Sequence, residues 1–393
     1  MVSQNDFCII NLSIFKNSSA NLCAIKKIMT GAAADLTIKT NYFPALTGVR
    51  AIAAFMVFFH HFNPFNANGS LAVLHHFTNE FHIGVTIFFV LSGFLIAYRY
   101  FDSIKINFRK YMVNRIARIY PMYFILTTLT FVVFLVFPQQ NLSHPFVLYL
   151  TNITFLKGFF QQFVFSGIAQ GWSLTVEELF YFTAPVFFIL IRRKKINLVS
   201  VPVIIISIGL LLVFVFSRYN FYGFFANYKF MFNYTFFGRC SEFFIGIALA
   251  LFYKKHGEII KTNWATYAGI AFIILSLLAL SFLKGDFKYG VMHPMGIAIN
   301  NLFLPMFGIA LLFWGLMTEK TILQKILSTD MFDLLGKSSY VFYLIHLGVI
   351  QLFISNRISG NYFILFVLIN IISILLFKIL EEPINLFLRK KLS

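Results

Sequence analysis

The feature that most constrains this chain is a series of long apolar segments separated by polar loops. A helix needs roughly 20 apolar residues to cross about 30 Å of hydrocarbon. Ten segments have that length, at 45–65, 82–101, 118–137, 171–191, 197–216, 232–252, 263–283, 297–317, 334–354 and 361–380. With 59% hydrophobic and only 12% charged residues, the composition excludes an ordinary cytosolic globule. The sequence predicts an all-α integral membrane protein with about ten transmembrane helices.

An eleventh apolar stretch, 146–165, is interrupted by Asn152, Lys157, Gln161 and Gln162. Polar side chains of this kind are costly in hydrocarbon. We therefore predict an interfacial or re-entrant segment here, and not a span.

The basic residues predict how the helices are oriented. The formal net charge is +18, and ten helices place 22 Lys and Arg residues on one side of the membrane and six on the other. Because cytoplasmic loops carry the excess of Lys and Arg, both termini are predicted to be cytoplasmic in a multi-pass protein of the cell (inner or plasma) membrane. The charge is thus explained by the lipid bilayer, and we expect no nucleic-acid partner.

The two ends of the chain differ from its apolar part. Residues 1–41 are mixed polar and lack the order of a signal peptide, so we predict a cytoplasmic N-terminal extension with Met29 as an alternative start. Residues 42–383 are the predicted membrane domain, and 384–393 are a basic cytoplasmic tail. The three cysteines include no CxxC pair and the histidines no HExxH, so we expect no metal site.

Ionisable residues inside the apolar segments are the candidates for function, because each costs at least about 2.5 kcal/mol in a bilayer. Arg50 and His61 are eleven residues apart, about three turns, and so share one face of the first helix. His60 is rotated by about 100° from that face, toward a neighbouring helix or lipid. The alternative for His61 is a structural imidazole satisfied by an adjacent helix.

Paired arginines occur at the mouth of the third segment. Arg115 and Arg118 are i, i+3 neighbours on one helix face. Their fork-shaped donors suit phosphate oxygens. The alternative is that they are ordinary members of a basic cytoplasmic loop.

Paired carboxylates occur in the fourth segment. Ser173, Glu177 and Tyr181 recur at every fourth position along one side of the helix, while Glu178 faces elsewhere. Two adjacent carboxylates in an apolar span are hard to explain by packing alone, so we predict a functional or ion-paired role.

Three further groups of residues have structural alternatives. Arg239 and Glu242 are i, i+3 and are expected to neutralise one another. Tyr343 and His346 share a helix stripe for which structural and functional roles both stay open. The small residues Gly84, Ser92 and Gly93 are expected to permit close helix packing.

Taken in order, these segments resemble the acyltransferase family 3, integral membrane enzymes that O-acylate, usually O-acetylate, extracytoplasmic glycans. The resemblance runs from about Tyr42 to Pro383. It rests on six pieces in the family's order: LTGVRAIAA with Arg50 followed after ten residues by His61, GVTIFFVLSGFLI, Arg115-x-x-Arg118 with Pro121, WSLTVEELFY, RCSEFFIG and SSYVFYLIH.

The resemblance implies transfer of an acyl group, acetyl first of all, from cytoplasmic acyl-CoA to a hydroxyl of an extracytoplasmic or lipid-linked glycan. Acyl-CoA is then a co-substrate, and no bound cofactor is expected. An arginine pair suits the phosphates of coenzyme A, and a buried imidazole can take a proton from an attacking alcohol. Carried over by position, the family roles are catalytic for His61, Arg50 and Glu177, acyl-CoA binding for Arg115 and Arg118, and core lining for His346.

Two features depart from the family pattern. Asn114 stands before Arg115, where the family is commonly more basic. Some members also carry a C-terminal hydrolase-like domain that completes transfer to peptidoglycan. We see none here, so the membrane domain is expected to do the whole reaction or to pass the acyl group to a separate protein.

Two other classes of protein compete with this interpretation. A secondary transporter or flippase of a glycan or small solute would also place Arg, Glu and His inside a bundle, but we find no inverted repeat. A membrane scaffold would not need buried ionisable residues. The identity of the acceptor glycan stays open.

Overall fold

The computed structural model describes residues 42–103, 106–137, 144–219 and 221–392. The predicted N-terminal extension, 1–41, and its Met29 lie outside the described residues. From Phe43 onward the described chain forms one compact unit.

The first half of the chain consists of helices joined by short turns. The helices are α1 (Pro44–His61), α2 (Ala72–Asn79), α3 (Gly84–Tyr100), α4 (Phe108–Val136), α5 (Pro145–Ile153) and α6 (Trp172–Arg192). The 3₁₀-helical turns among them are Glu80–Ile83, Leu156–Phe159 and Ala169–Gly171.

The second half is helical as well. Its α-helices are α7 (Ser200–Phe216), α8 (Tyr228–Tyr234), α9 (Phe236–His256), α10 (Ala265–Leu283), α11 (Pro294–Ala298), α12 (Ala310–Thr318), α13 (Ile322–Leu327), α14 (Asp330–Ile345), α15 (Val349–Arg357), α16 (Tyr362–Leu376) and α17 (Glu382–Leu392). A 3₁₀ turn at Gly290–Met292 precedes α11, and π-helical stretches join α11 to α12 (Ile299–Ile309) and α16 to α17 (Phe377–Glu381). The predicted all-α class is confirmed: the β structure of the described residues is one isolated bridge, Phe160–Phe224.

Seven helical segments of the described chain are long and apolar enough to cross a membrane, or eight if one bent pair counts as a span. The seven are Ala72–Tyr100, Phe108–Val136, Ala169–Arg192, Tyr228–His256, Ala265–Leu283, Pro294–Thr318 and Tyr362–Leu392. The structure therefore supports a multi-pass membrane protein with fewer full-length apolar helices than the ten predicted.

Two of the predicted spans fall short for identifiable reasons. The segment 45–65 yields α1, which ends at His61 after 18 residues, about 27 Å, and carries Arg50 and two histidines. The segment 197–216 yields α7, whose 17 residues extend about 26 Å. The ionisable residues of α1 lower its mean hydropathy, and α7 is shorter than each of the seven apolar segments.

The third exception, predicted as a single span at 334–354, is a broken helix. Helices α14 and α15 are bent by 83° relative to one another across residues 346–348. Gly348 has a φ of 104°, a backbone conformation that ends a right-handed helix and that glycine adopts without steric cost. The apolar pattern continues through the break, which is why the sequence predicted one helix.

The stretch 146–165 contains a short helix followed by turns. It forms α5 and the turn Leu156–Phe159, and it belongs to none of the seven long apolar helices. The buried Lys157 donates from Nζ to the carbonyls of Ser166 (2.9 Å) and Ile168 (2.5 Å). Burial lowers the pKa of Lys157 to about 7. The lysine therefore links this segment to the residues that precede α6.

The predicted boundary at residue 383 is crossed by a helix. The segment Tyr362–Leu392 is continuous through the π-helical turn, so the basic tail extends the last helix. Its Arg389 donates from Nη2 to the carbonyl of Asn114 on α4, over 3.3 Å.

Small residues allow α3 and α9 to pack closely. A Cβ added to Gly93 would lie 2.1 Å from the carbonyl oxygen of Phe243, and one added to Gly246 would lie 2.1 Å from that of Val90. The packing role predicted for Gly84 and Gly93 is confirmed, since a Cβ on Gly84 would also lie 2.2 Å from the carbonyl oxygen of Ala53. This contact fixes α3, which contributes residues to the site described below.

A carboxylate caps α10 from the end of α12. Glu319 Oε1 accepts from Thr262 Oγ1 and the amide of Ala265, both at 2.7 Å, while Oε2 accepts from Thr266 through its amide (3.0 Å) and Oγ1 (2.5 Å). Burial raises the pKa of Glu319, but these hydrogen bonds outweigh burial, and the net pKa is below its usual value. A negative charge at a helix N-terminus is also favoured by the helix dipole.

We expect Glu319→Ala to reduce stability by about 2 kcal/mol, because several hydrogen bonds to a charged group are lost. A depressed carboxylate pKa contributes stability above the unfolded pKa, and this contribution disappears as pH falls through the folded pKa. The difference in Tm between parent and variant in detergent should therefore be large at neutral pH and shrink in acid. Glu258→Ala, at an exposed position before α10, is the control. An equal loss of Tm in both variants would contradict the assignment.

Candidate active site

Two cavities lie within the helical unit, and the predicted site residues are divided between them. The first, which we call the arginine cavity, has a volume of about 80 Å³. Its charged and hydroxyl-bearing lining residues are Arg50, Arg115, Arg118, Ser92, Ser173, Glu177, Tyr181, Tyr340 and Tyr343. The second, the histidine cavity, has a volume of about 360 Å³. Its lining includes His60, His61, His82, Gln170, Arg239, Lys288, Asn300, Trp172, Tyr234, Tyr289 and Tyr343.

The arginine cavity is built by five helices. α1 supplies Arg50, α4 supplies Arg115 and Arg118, and α6 supplies the row of Ser173, Glu177 and Tyr181. The spacing of that row on one helix side, read from the sequence, agrees with its placement in one cavity. α3 and α14 supply the remaining hydroxyl groups.

Glu177 is the centre of a hydroxyl cluster in this cavity. Its Oε1 accepts short hydrogen bonds from the hydroxyls of Ser92 and Tyr181, and Tyr181 also donates to Ser92 Oγ at 3.2 Å. The guanidinium of Arg115 lies 5.8 Å from the centre of the Tyr181 ring. Ser92, which the sequence assigned to packing, is therefore a polar member of the site.

A second carboxylate near the arginines was not identified from the sequence. Glu381, in the π-helical turn before α17, interacts electrostatically with Arg118 and Arg50. It is 5% exposed, and its Oε2 has no hydrogen-bond partner within the described part of the chain. In the sequence, Glu381 is an acidic residue directly after the apolar segment 361–380, and this position is the only feature that could have indicated it.

Arginines outnumber carboxylates in the lining of the arginine cavity itself, and Glu178 and Glu381 interact electrostatically with these arginines from outside the lining. Three arginines line it, against the single lining carboxylate of Glu177. The buried Nε of Arg115 has no hydrogen-bond partner among the residues that the structure describes. An anionic group with several oxygen acceptors is the chemical complement of such a lining.

The histidine cavity holds a row of imidazole rings. Ring centres are 4.7 Å apart for His60 and His61, 5.4 Å for His61 and His346, and 5.5 Å for His60 and His82. His60 Nδ1 lies 2.5 Å from the carbonyl oxygen of Asn79, and His346 Nδ1 lies 2.7 Å from that of Tyr343. A ring that donates from Nδ1 keeps Nε2 as its proton acceptor when neutral.

This arrangement differs from the sequence-based expectation in three respects. Arg50 lines the arginine cavity and His61 the histidine cavity, so a shared helix face does not place them in one chamber. His60 also lines the histidine cavity, although it was expected to point away. Glu177 lines the arginine cavity and not the one that holds His61. The physical reason is depth: about 16.5 Å of helix separates Arg50 from His61, and neighbouring side chains divide that length.

Arg239 and Glu242 form a buried ion pair, as their spacing suggested. Arg239 Nε and Nη2 donate to the two carboxylate oxygens over 2.7 and 2.6 Å. Arg239 further donates to the carbonyl of Asn233 and to Thr86 Oγ1, and Thr86 donates to Asn300 Oδ1. This network holds α9 against α3 and forms part of the cavity wall.

Glu178 and His346 lie outside the two cavity linings. Glu178 Oε1 is buried without a hydrogen-bond partner in the described residues, and Glu178 interacts electrostatically with Glu177 and Arg115. His346 is fully buried against Tyr343 and reaches the site through its contact with the His61 ring. Within the described ranges, no group of three or more His, Cys, Asp or Glu side chains is placed to hold a metal ion.

The two cavities meet at two residues. Val85 of α3 and Tyr343 of α14 are the residues that line both. The Tyr343 hydroxyl lies 2.9 Å from Ser173 Oγ, a hydroxyl of the arginine cavity. The site is thus two chambers of different chemistry with a common wall.

Comparison with known proteins shows which family the chain matches. A family profile described as an acyltransferase domain, Acyl_transf_3, matches residues 43–380. O-acetyltransferase OatA of Staphylococcus aureus (strain NCTC 8325 / PS 47) is 26% identical over 374 residues, which cover 88% of this chain and 57% of that protein. SACOL0978 of Staphylococcus aureus (strain COL), provisionally named an O-acetyltransferase, is 26% identical over 377 residues, covering 88% and 58%.

The chain therefore spans a little under 60% of the length of these curated relatives. No solved structure matches it. Because the family profile covers most of the chain, the protein belongs to the acyltransferase family 3.

Proposed function

We propose that this protein moves an acyl group, acetyl in the first instance, from cytoplasmic acyl-CoA to a hydroxyl of an extracytoplasmic or lipid-linked glycan. The observation that carries the proposal is the pair of cavities that share Val85 and Tyr343. Family membership supports acyl transfer, and the identities of donor and acceptor are our inference. In this proposal the protein lies in the inner or plasma membrane and needs no bound cofactor.

The arginine cavity is the proposed donor site. Coenzyme A carries several phosphate groups, and the three arginines that line this cavity are suitable charged donors for phosphate oxygens. Arg115 and Arg118 also lie near the start of α4, at the end predicted to be cytoplasmic. The acyl end of the donor would then extend along the row of Ser173, Glu177 and Tyr181 toward Tyr343.

The histidine cavity is the proposed acceptor site. Its aromatic walls, from Trp172, Tyr234 and Tyr289, offer flat amphipathic surfaces to a sugar. His61 would take the proton of the acceptor hydroxyl as its oxygen attacks the thioester carbonyl. A C–O bond forms, the C–S bond breaks, and the proton passes to the coenzyme A thiolate. Arg50, on the donor side, would stabilise the negative charge that develops on the thioester carbonyl oxygen during this attack.

We expect Arg118→Ala to raise the apparent KM for acyl-CoA about tenfold, because it removes a charge-assisted contact that the donor makes before reaction. The measurement is the donor concentration dependence of acyl transfer by purified protein. Arg109→Ala, at an exposed position near the start of the same helix, is the matched control. An unchanged donor KM for Arg118→Ala would indicate that Arg115 and Arg118 are ordinary basic residues of the cytoplasmic side and do not bind the donor.

The experiment that tests the proposed function is mass spectrometry of cell-surface and lipid-linked glycans from cells with and without this gene. We expect acyl groups to be absent from one glycan class in the deletion strain and restored by the parent gene. Complementation with His61→Ala should not restore them. Identical acylation in all strains would contradict the proposal.

A carrier of glycan or small solute is the second candidate, and the broken helix α14–α15 favours it, because discontinuous helices are typical of transporter sites. The two functions differ in covalent chemistry. A carrier would move unmodified glycan across vesicle membranes without acyl-CoA. An acyltransferase would yield acylated product only when acyl-CoA is supplied.

A further inference from the structure

The wall between the two cavities is held by a compact group of hydrogen bonds. The Tyr343 hydroxyl contacts Ser173 Oγ (2.9 Å) and donates to the backbone carbonyl of Gln170 (3.2 Å), while Ser173 Oγ donates to the same carbonyl over 3.1 Å. Ser173 lines the arginine cavity, Gln170 lines the histidine cavity, and Tyr343 lines both. All three side chains are buried. We call this group the Tyr343 junction.

The junction is coupled to the break between α14 and α15. The side-chain amide of Gln170 donates to the carbonyl of Leu344 over 2.7 Å and lies 3.4 Å from that of Leu347. The carbonyl of Leu344 belongs to the last turn of α14, and that of Leu347 lies in the break that follows it. Gln170 therefore holds both the wall and the helix end that carries Tyr343. Gly348, with its φ of 104°, lies at the bend itself.

The proposed reaction requires a barrier between the two cavities. An open passage would connect the two sides of the membrane through a polar channel. Water would then reach the thioester, and protons would cross the bilayer. A wall that opens only transiently, at the end of α14, would let the acyl group reach His61. It would limit both hydrolysis of the thioester and the flow of protons across the bilayer.

We propose that the Tyr343 junction is a closed gate between the two cavities, and that movement of the end of α14 opens it when donor and acceptor are both bound. Tyr343 and Ser173 are positioning residues in this account, and Gln170 is the tether. The gate deepens the proposed function, since it presumes that donor and acceptor occupy opposite cavities. Its sealing role, however, can be measured without any acyl transfer.

Sided cysteine labelling tests the seal. In protein whose Cys8, Cys23 and Cys240 are replaced by alanine, Leu95→Cys reports on the arginine cavity and Met292→Cys on the histidine cavity. A membrane-impermeant thiosulfonate is added to one side of reconstituted vesicles at a time. With Tyr343 present, we expect each reporter to react from one side, and the two sides to be opposite. Reaction of Leu95→Cys at equal rates from both sides would overturn the proposal.

Removing the tyrosine side chain should open the wall. We expect Tyr343→Ala to let Leu95→Cys react also from the side that labels Met292→Cys. Tyr340→Ala is the matched control, since Tyr340 is a buried tyrosine one turn earlier on α14 that lines only the arginine cavity and donates to the carbonyl of Ile119. Unchanged sidedness in Tyr343→Ala, or the same loss of sidedness in Tyr340→Ala, would contradict the gate.

A gentler variant covers the case in which Tyr343→Ala does not fold. Tyr343→Phe keeps the ring and removes only the hydroxyl and its hydrogen bonds, which should raise proton leak through reconstituted vesicles about tenfold. Tyr340→Phe should leave the leak at the parent level. Equal leaks in both variants would count against the junction. A leak specific to Tyr343→Phe in vesicles that transfer no acyl group would leave the gate intact and refute the proposed function alone.

Discussion

Replacing His61 by alanine is expected to lower kcat for acyl transfer by about 10²–10⁴, the usual contribution of a general base. A neutral imidazole accepts a hydroxyl proton near neutral pH, where Lys and Arg are already protonated. His61 is the histidine of the cavity whose ring lies between those of His60 and His346. Donor binding should be unchanged, because the arginine cavity keeps its lining. The measurement is turnover by purified variants with equal acyl-CoA affinity.

His60→Ala is the matched control for this prediction. His60 lines the same cavity, but its Nδ1 is held by the carbonyl of Asn79, so it serves the packing between α1 and α2. We expect a loss of about tenfold or less. Free imidazole should partly rescue His61→Ala, because the cavity of about 360 Å³ has room for it. Full activity of His61→Ala, or inactivity of a normally folded His60→Ala, would show that His61 is not the general base.

The second large effect is expected at the buried ion pair. Glu242 is fully buried, and Glu242→Ala would leave the Arg239 guanidinium without its carboxylate. Removing one partner of a buried pair costs about 3–5 kcal/mol, because an uncompensated charge stays in the core. We expect a marked fall in Tm in detergent, with little folded protein recovered.

A double variant separates this explanation from simple loss of packing. In Arg239→Met/Glu242→Leu both charges are replaced by apolar groups, and most of the lost stability should return. Its activity should stay low, since Arg239 also forms part of the histidine cavity wall. A double variant as unstable as Glu242→Ala would show that the charge imbalance is not the cause.

Local patterns in the sequence were sufficient to predict which residues of a single helix lie together. Spacing of four placed Ser173, Glu177 and Tyr181 together, spacing of three paired Arg239 with Glu242, and small residues predicted the close contact of α3 with its neighbours. These properties depend on the azimuth of a side chain around one helix, which the 3.6-residue repeat determines.

Properties that depend on several helices at once were not predictable in this way. Azimuth alone does not fix depth, so Arg50 and His61 share a face but line different cavities. The bend at Gly348, the ionisable residues of α1 and the shortness of α7 reduce the long apolar helices from the ten predicted to seven within the described chain. Glu381 was missed because its partners Arg50 and Arg118 come from distant parts of the chain.

In the proposed reaction, donor and acceptor bind in opposite cavities that are separated by one wall. The most direct test is vesicles containing purified protein, with radiolabelled acetyl-CoA on one side and, on the other, glycan extracted from the deletion strain. We predict labelled glycan on the side away from the donor, formed without leakage of acetyl-CoA and abolished by His61→Ala. Label that appears only when donor and glycan share a side, or that persists in His61→Ala, would contradict the account.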